Sequence, residues 1–155
     1  MSVETERTFV MVKPDGVNRG LIGEVIGRLE DRGLTLVGAK FMQIDEELAH
    51  EHYGEHEDKP FFDDLVSFIT SDPVMAMVWE GQDATRQVRK MMGATSGLEA
   101  DPGTIRGDFG LSMQNNVVHG SDHEDPGANE REISLFFDED ELVDWERETE
   151  SWVYE

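Results

Sequence analysis

The chain has 155 residues, the size of one domain with enough length to bury one core, and no cysteine, which excludes disulfides and thiolate chemistry. Asp and Glu number 35 against 13 Lys and Arg, a formal net charge of -22. Such a field repels phosphate backbones, so nucleic acid is not expected as a partner. No apolar run approaches the ~18 residues of a membrane span, and the first residues lack a signal-peptide core, so cytoplasm is the expected location and no membrane partner is expected.

Thr8 to Lys13 reads as a buried strand ending in the turn signal Pro14-Asp15-Gly16. Ile22, Val25, Ile26 and Leu29 recur at helical spacing, and Gly33 closes that helix. Leu34 to Met42 is a second strand. Asp45 caps a short helix through Leu48 to Tyr53. Phe61 to Ile69 is helical, with Phe62, Leu65, Val66 and Ile69 on one side. Val74 to Trp79 is a third strand, and Ala84 to Met92 a helix stopped by Gly93. The stretch 94–115 has glycines and no clear period. A loop of that length in a compact domain is usually functional or disordered. Val117 and Val118 make a short strand, Asn129 to Phe137 a last helix, and Trp145, Trp152, Val153 and Tyr154 suggest a tail packed on the surface. The order implies an α+β sandwich, one sheet covered by helices, as a single domain over residues 1–155.

The acid is spread over every segment and apolar residues fall in periodic blocks, so the charge signals a folded, densely carboxylated surface and not a disordered tail. The Debye length falls from about 10 Å at 0.1 M salt to about 3 Å at 1 M. A surface of this kind repels itself in dilute salt and is screened in concentrated salt, which points to a halophilic protein.

No glycine-rich phosphate loop is present, so side chains would have to hold any nucleotide. Lys13 ends a buried strand before a tight turn and can present one charge to a phosphate; a strand-end lysine reaching back to solvent is the alternative. Arg86, Arg89, Lys90 and Arg106 form a cationic set, with Arg86 and Arg89 expected on one helical face and Arg106 between glycines. Surface pairing with the many carboxylates is the commoner fate of a single arginine. His119 leaves a short strand directly before Gly120, a placement that suits an exposed, rigid imidazole nucleophile, and Glu132 can fix its tautomer. In Lys59-Pro60-Phe61-Phe62, one aromatic ring can remain outside the core and stack on a base. His52 and His56 share a helical face, but with no matching ligand set elsewhere they read as a solvated polar face, with a structural metal as the lesser alternative.

These residues together resemble the nucleoside diphosphate kinase family. The resemblance runs through Arg7-Thr8-Phe9-Val10-Met11-Val12-Lys13-Pro14-Asp15-Gly16-Val17, Tyr53, Lys59-Pro60-Phe61-Phe62, Gly93-Ala94-Thr95 and Pro102-Gly103-Thr104-Ile105-Arg106-Gly107-Asp108-Phe109. It is most specific at Asn116-Val117-Val118-His119-Gly120-Ser121-Asp122, and continues in Glu132-Ile133-Ser134-Leu135-Phe136-Phe137 and Trp152-Val153-Tyr154-Glu155. The acidic surface is similar to that of members from salt-loving archaea.

The resemblance implies a ferredoxin-like α/β sandwich with a four-stranded antiparallel sheet. It implies a phosphotransferase that passes the γ-phosphate of a nucleoside triphosphate, mainly ATP, to nucleoside diphosphates in a ping-pong reaction of broad base and sugar specificity. His119 would carry the phosphate, Glu132 would orient its ring and Tyr53 would sit beside it. Lys13, Arg89, Thr95, Arg106 and Asn116 would hold the phosphates and ribose. Phe61 would stack on the base, with Leu65 and Met113 as apolar neighbours. Mg2+ would arrive on the substrate's phosphates, with no direct protein ligand. The family forms homo-oligomers; a hexamer is favoured here, with dimer and tetramer as alternatives. Asn115 stands where many relatives carry Arg, Gly97 where Pro is common, and Asp125-Pro126-Gly127 lengthens the segment before Glu132. A nucleotide-binding module without turnover, or an acidic interaction protein, are the alternatives of a different class.

Overall fold

The computed structural model describes residues 3–155. Its strands are β1 (Glu6–Val12), β2 (Thr35–Met42), β3 (Val74–Gly81) and β4 (Val118–Gly120), in the order β2-β3-β1-β4 and antiparallel throughout. The helices are α1 (Pro14–Asn18), α2 (Ile22–Arg32), α3 (Glu46–His52), α4 (Phe62–Ile69), α5 (Ala84–Met92), α6 (Ile105–Phe109) and α7 (Ala128–Phe136). The fold is the ferredoxin-like sandwich.

Side chains alternate across a strand, so β1 supplies both faces of the sheet. Phe9 and Met11 point into a core built with Ala49 of α3, Phe62, Val66 and Ile69 of α4, and Phe136 of α7. Val10 and Val12 point into a second core with Val25 and Leu29 of α2, Ala84, Val88 and Met92 of α5, and Ile105. Helices on both faces explain why β1 and β3 read as unbroken apolar runs. Each fully buried large side chain, Phe9 and Trp79 among them, contributes about 1.5–3 kcal/mol.

Local chemistry sets the element ends. Gly33 ends α2 in the left-handed conformation, φ 108°, which costs glycine no Cβ clash. The Asp45 side chain accepts from Leu48 N–H at 2.8 Å and starts α3. Pro14 opens α1, where its missing N–H removes no helical bond.

Some expectations need correction. Residues 94–115 are not structureless: Thr104 accepts from Gly107 N–H at 3.0 Å and nucleates α6. The strand read at Val117-Val118 begins one residue later, because Val117 takes φ 73°. The tail is only partly docked. Trp145 donates to Leu36 O and the Tyr154 hydroxyl accepts from Gln82 N–H, but Trp152 is 88 % exposed. No helix among the described residues is long and apolar enough to cross a membrane.

Candidate active site

The site begins with the pairing of β4 on the edge of β1, which sets His119 opposite Met11. Val118 therefore packs into one core and His119 turns toward the other, where its ring lies 5.9 Å from Phe9 and 4.9 Å from His52. The His119 side chain remains 26 % exposed.

Its orientation is fixed from α7. His119 Nε2 lies 3.1 and 3.2 Å from the two carboxylate oxygens of Glu132, and Ser121 Oγ donates to Glu132 Oε1 at 2.6 Å. A carboxylate accepts only, so the proton between them sits on Nε2 and the lone pair is on Nδ1. Burial alone would push the Glu132 carboxyl up. The charge and hydrogen bond of His119, with the Ser121 hydroxyl and His52, outweigh it and hold the group down at about 2. Glu132 is therefore an ionised acceptor across the neutral range.

The turn before β4 is strained and held from three sides. Val117 is β-branched and sits in the left-handed region, a conformation that costs on the order of 1–3 kcal/mol. Its N–H donates to Asp15 Oδ2 and its C=O accepts from Lys13 N–H, both at 2.9 Å. Gly16 lies so close below that an added Cβ would stand 2.8 Å from Val117 O. The lysine–proline–aspartate–glycine turn thus shapes the segment that delivers the histidine.

Lys13 Nζ donates to Asn116 Oδ1 at 2.7 Å and to Gln114 O at 2.9 Å, so the side chain is tied into the site and does not reach away to solvent. Burial, and then the Arg106 charge, pull its pKa down to about 8 against the opposing pull of Asp15. Asn116 uses its amide nitrogen on Thr95 O and Met113 O, joining both ends of the 94–115 loop to Lys13. Arg106 is buried and donates to Asn116 O, Gly93 O and Val118 O. Burial, and then Arg89, lower its pKa to about 10. Arg89 is half-buried and donates to Gly120 O at 3.2 Å.

The cationic set divides. Arg86 pairs with Asp83 at 3.4 Å and is exposed, as is Lys90, so neither joins Arg89 and Arg106. The glycine after Arg106 is there for packing: a Cβ on Gly107 would stand 1.9 Å from Asp101 O.

Tyr53 packs on the core beneath, its ring 4.7 Å from His52. Burial, then Glu132, raise its hydroxyl to about 12. Phe61 is 46 % exposed and Met113 63 %, with Leu65 half-buried on α4 behind Phe61. Thr95 is exposed and contributes its carbonyl to Asn116.

His52 is the residue that sequence reasoning misplaced. It is not on a solvated face; its ring is 2 % exposed and packed against Phe9, Tyr53, His119 and Phe136. Desolvation, then the His119 charge, lower its pKa to about 3, so it is a neutral imidazole. Helical spacing gave His52 a face but could not say that the face turns inward, because α3 carries few apolar residues. His56, expected beside it, has an exposed edge near Glu55.

The donor set fits no resident Mg2+. His52, His119 and Glu132 offer two nitrogens and a carboxylate within 4.8 Å of one another, whereas Mg2+ requires oxygen ligands in octahedral array.

The chain is similar to known proteins in sequence and in fold. The sequence profile described as nucleoside diphosphate kinase matches residues 6–142. The nucleoside diphosphate kinase of Haloarcula marismortui is 75 % identical over 152 residues, 98 % of this chain and 99 % of the relative. That of Halobacterium salinarum is 72 % identical over 155 residues, covering 100 % and 96 %. A solved structure of the Halobacterium salinarum enzyme in complex with CDP superposes with TM-score 0.97 at 73 % identity, covering 98 % of this chain and all of that one. A Babesia bovis family member reaches TM-score 0.92 at 48 % identity, covering 96 % and 99 %. With a full-length match in sequence and in fold, this chain belongs to the nucleoside diphosphate kinase family.

Proposed function

We propose that this chain transfers the terminal phosphate of a nucleoside triphosphate to nucleoside diphosphates through a phosphohistidine on His119 Nδ1. The observation that carries the reading is the Glu132 carboxylate on His119 Nε2, held there by Ser121. That contact keeps the proton on one ring nitrogen and the nucleophilic lone pair on the other.

In the first half-reaction the Nδ1 lone pair forms a bond to the γ-phosphorus in line, while the bond from that phosphorus to the bridging β-oxygen breaks. The diphosphate leaves with the bonding pair. The Nε2 proton stays between ring and carboxylate, so Glu132 balances the positive charge that develops on the imidazole. In the second half-reaction a terminal oxygen of another diphosphate attacks the phosphorus, the P–N bond breaks and its pair returns to Nδ1. No net proton is needed. Positioning and charge neutralisation supply the catalysis.

Lys13 and Arg89 are the cations with donors to give the phosphates. Arg106 has committed a donor from each of its three nitrogens to a carbonyl; it acts mainly through its charge, with the N–H that remains on each terminal nitrogen as the direct contact. Asn116 has both amide N–H groups committed, so it positions Lys13 and has only an Oδ1 lone pair for a ribose hydroxyl, while the Thr95 hydroxyl is a donor for phosphate. Tyr53 acts through His52, against which it packs and whose ring lies beside that of His119. Phe61 stacks on the base, with Leu65 and Met113 beside it, a mode that accepts any base. Mg2+ enters as part of the nucleotide substrate. The Halobacterium salinarum relative's complex with CDP supports a nucleotide at this site. We read residues 1–155 as a single catalytic domain acting in the cytoplasm as a homo-oligomer, with a hexamer favoured. Exposed Leu98, Leu111, Val143 and Trp152 support buried subunit contacts.

The test is incubation with γ-labelled ATP followed by GDP or CDP. Acid-labile, base-stable label on the protein, passed to either diphosphate and absent in His119→Ala, is expected. ATP binding with no transfer overturns the reading.

A further inference from the structure

Among the described residues, His52 has two buried side-chain nitrogens that the proposed reaction does not use. Both ring nitrogens are buried with no hydrogen-bond partner, although a buried polar atom without a partner costs about 1–3 kcal/mol. Those nitrogens do not face hydrocarbon alone. Nδ1 lies 3.9 Å from Glu132 Oε2, and the His52 ring meets the His119 ring edge-on at 4.9 Å and 83°. Glu132 in turn lies 3.1 Å from His119 Nε2.

We propose that His52, His119 and Glu132 form an inhibitory site for a first-row transition-metal dication such as Zn2+, which switches off the nucleophile by moving its proton to the wrong nitrogen. Two imidazole nitrogens and one carboxylate oxygen, all within 4.8 Å of one another, are a zinc donor set. Ligands of a tetrahedral zinc at ~2.0–2.2 Å stand about 3.4 Å apart. The His119–Glu132 pair is already near that spacing, and the other pairs, all within 4.8 Å, must close by at most about 1.4 Å to reach it. Ser121 holds the carboxylate in place.

The consequence for chemistry follows from the tautomer. A neutral imidazole bound to a metal through Nε2 carries its proton on Nδ1. The proton displaced from Nε2 moves to Nδ1, so no proton is lost and the attacking lone pair is gone. This inhibitory role rests on the proposed attack by Nδ1; the binding itself rests only on the three side chains.

The experiment uses the full chain in molar KCl with millimolar Mg2+, which occupies the surface carboxylates that would otherwise collect dications. Co2+ is titrated and followed by its visible d–d bands, then displaced by Zn2+. One equivalent per chain with a four- or five-coordinate spectrum is expected, and binding at least tenfold weaker in His52→Gln and in Glu132→Gln. In wild type, nitrogen-15 NMR of the His119 ring should show the proton on Nε2 before Zn2+ and on Nδ1 after it. Phosphoenzyme formation should fall in step with occupancy and return on chelation. An octahedral spectrum unchanged by both variants, or an Nε2 proton that persists at saturating Zn2+, overturns the proposal. Label uptake in the absence of Zn2+ tests the phosphotransfer reading separately. Metal binding with the tautomer shift but no such uptake would sink that reading and leave the site.

Discussion

Val117 N–H donates to Asp15 Oδ2 at 2.9 Å across a sequence separation of 102 residues. Through that bond the turn after β1 holds open the left-handed kink from which His119 projects. Asp15→Ala removes the acceptor and leaves a buried N–H unpaired beside a strained residue. A loss of about 1.5–3 kcal/mol is expected, read as a lowered denaturation midpoint at constant salt. Phosphoenzyme formation should fall with it, since Val117 can relax and carry the histidine away. An unchanged midpoint would show that the kink is held by Lys13 N–H alone.

Glu132→Gln keeps the shape of the side chain but makes the acceptor neutral and the tautomer ambiguous. The rate of phosphorylation is expected to fall by about 10²–10⁴-fold, with little change in nucleotide affinity. Rapid-quench measurement of label uptake against nucleotide concentration separates the two. A variant weakened only in binding would contradict the role given to the carboxylate.

Lys13 provides the pH dependence. Its folded pKa is lowered to about 8 from an ordinary 10.5, so the lysine is charged below pH 8 and loses its charge above it. The kcat/KM of the free enzyme is therefore expected to decline as pH rises through about 8. Lys13→Arg should lower kcat/KM, since the fork cannot copy the contact with Asn116, but should remove that alkaline limb. The sign for folding is opposite: between about 8 and 10.5 the unfolded chain binds more protons than the folded one, so this group's effect is to raise stability with pH there. An alkaline limb that persists in the arginine variant would assign it to another residue.

The net charge of -22 predicts that salt stabilises the chain. The melting temperature should climb as KCl rises from tenths of molar to molar, where the Debye length shrinks to about 3 Å. Because screening is the cause, NaCl should act almost as KCl does. A melting curve indifferent to both would remove the halophilic explanation.

Much of this molecule was legible in order and pattern. The spacing of Ile22, Val25, Ile26 and Leu29 and the stops at Gly33 and Gly93 place helices that the structure has, because amphipathic period and glycine caps are local signals. The pairing of His119 with Glu132 was readable as an option, since one residue leaves a strand and the other lies on the helix that follows it. The burial of His52 was not. It depends on α3 lying against α7 across Phe9 and Phe136, a tertiary fact with no trace in the spacing of His50, His52 and His56. Arg86 and Arg89 are three apart, yet one meets Asp83 in solvent and the other reaches Gly120. Spacing sets angular proximity, not which neighbour a long side chain selects.

The segment between α5 and β4 has one more property. Gly97 and Gly110 cross in contact, so close that a Cβ on Gly97 would stand 2.3 Å from the Gly110 carbonyl carbon, and Gly97 N–H donates to Ser112 O at 3.1 Å. The glycines that would ordinarily lend slack here are what allow two backbone legs to be cinched together. A stretch whose composition suggests a tether is thus a buckle: it should exchange its Gly97 amide hydrogen slowly, and even a methyl group at position 97 would force it undone.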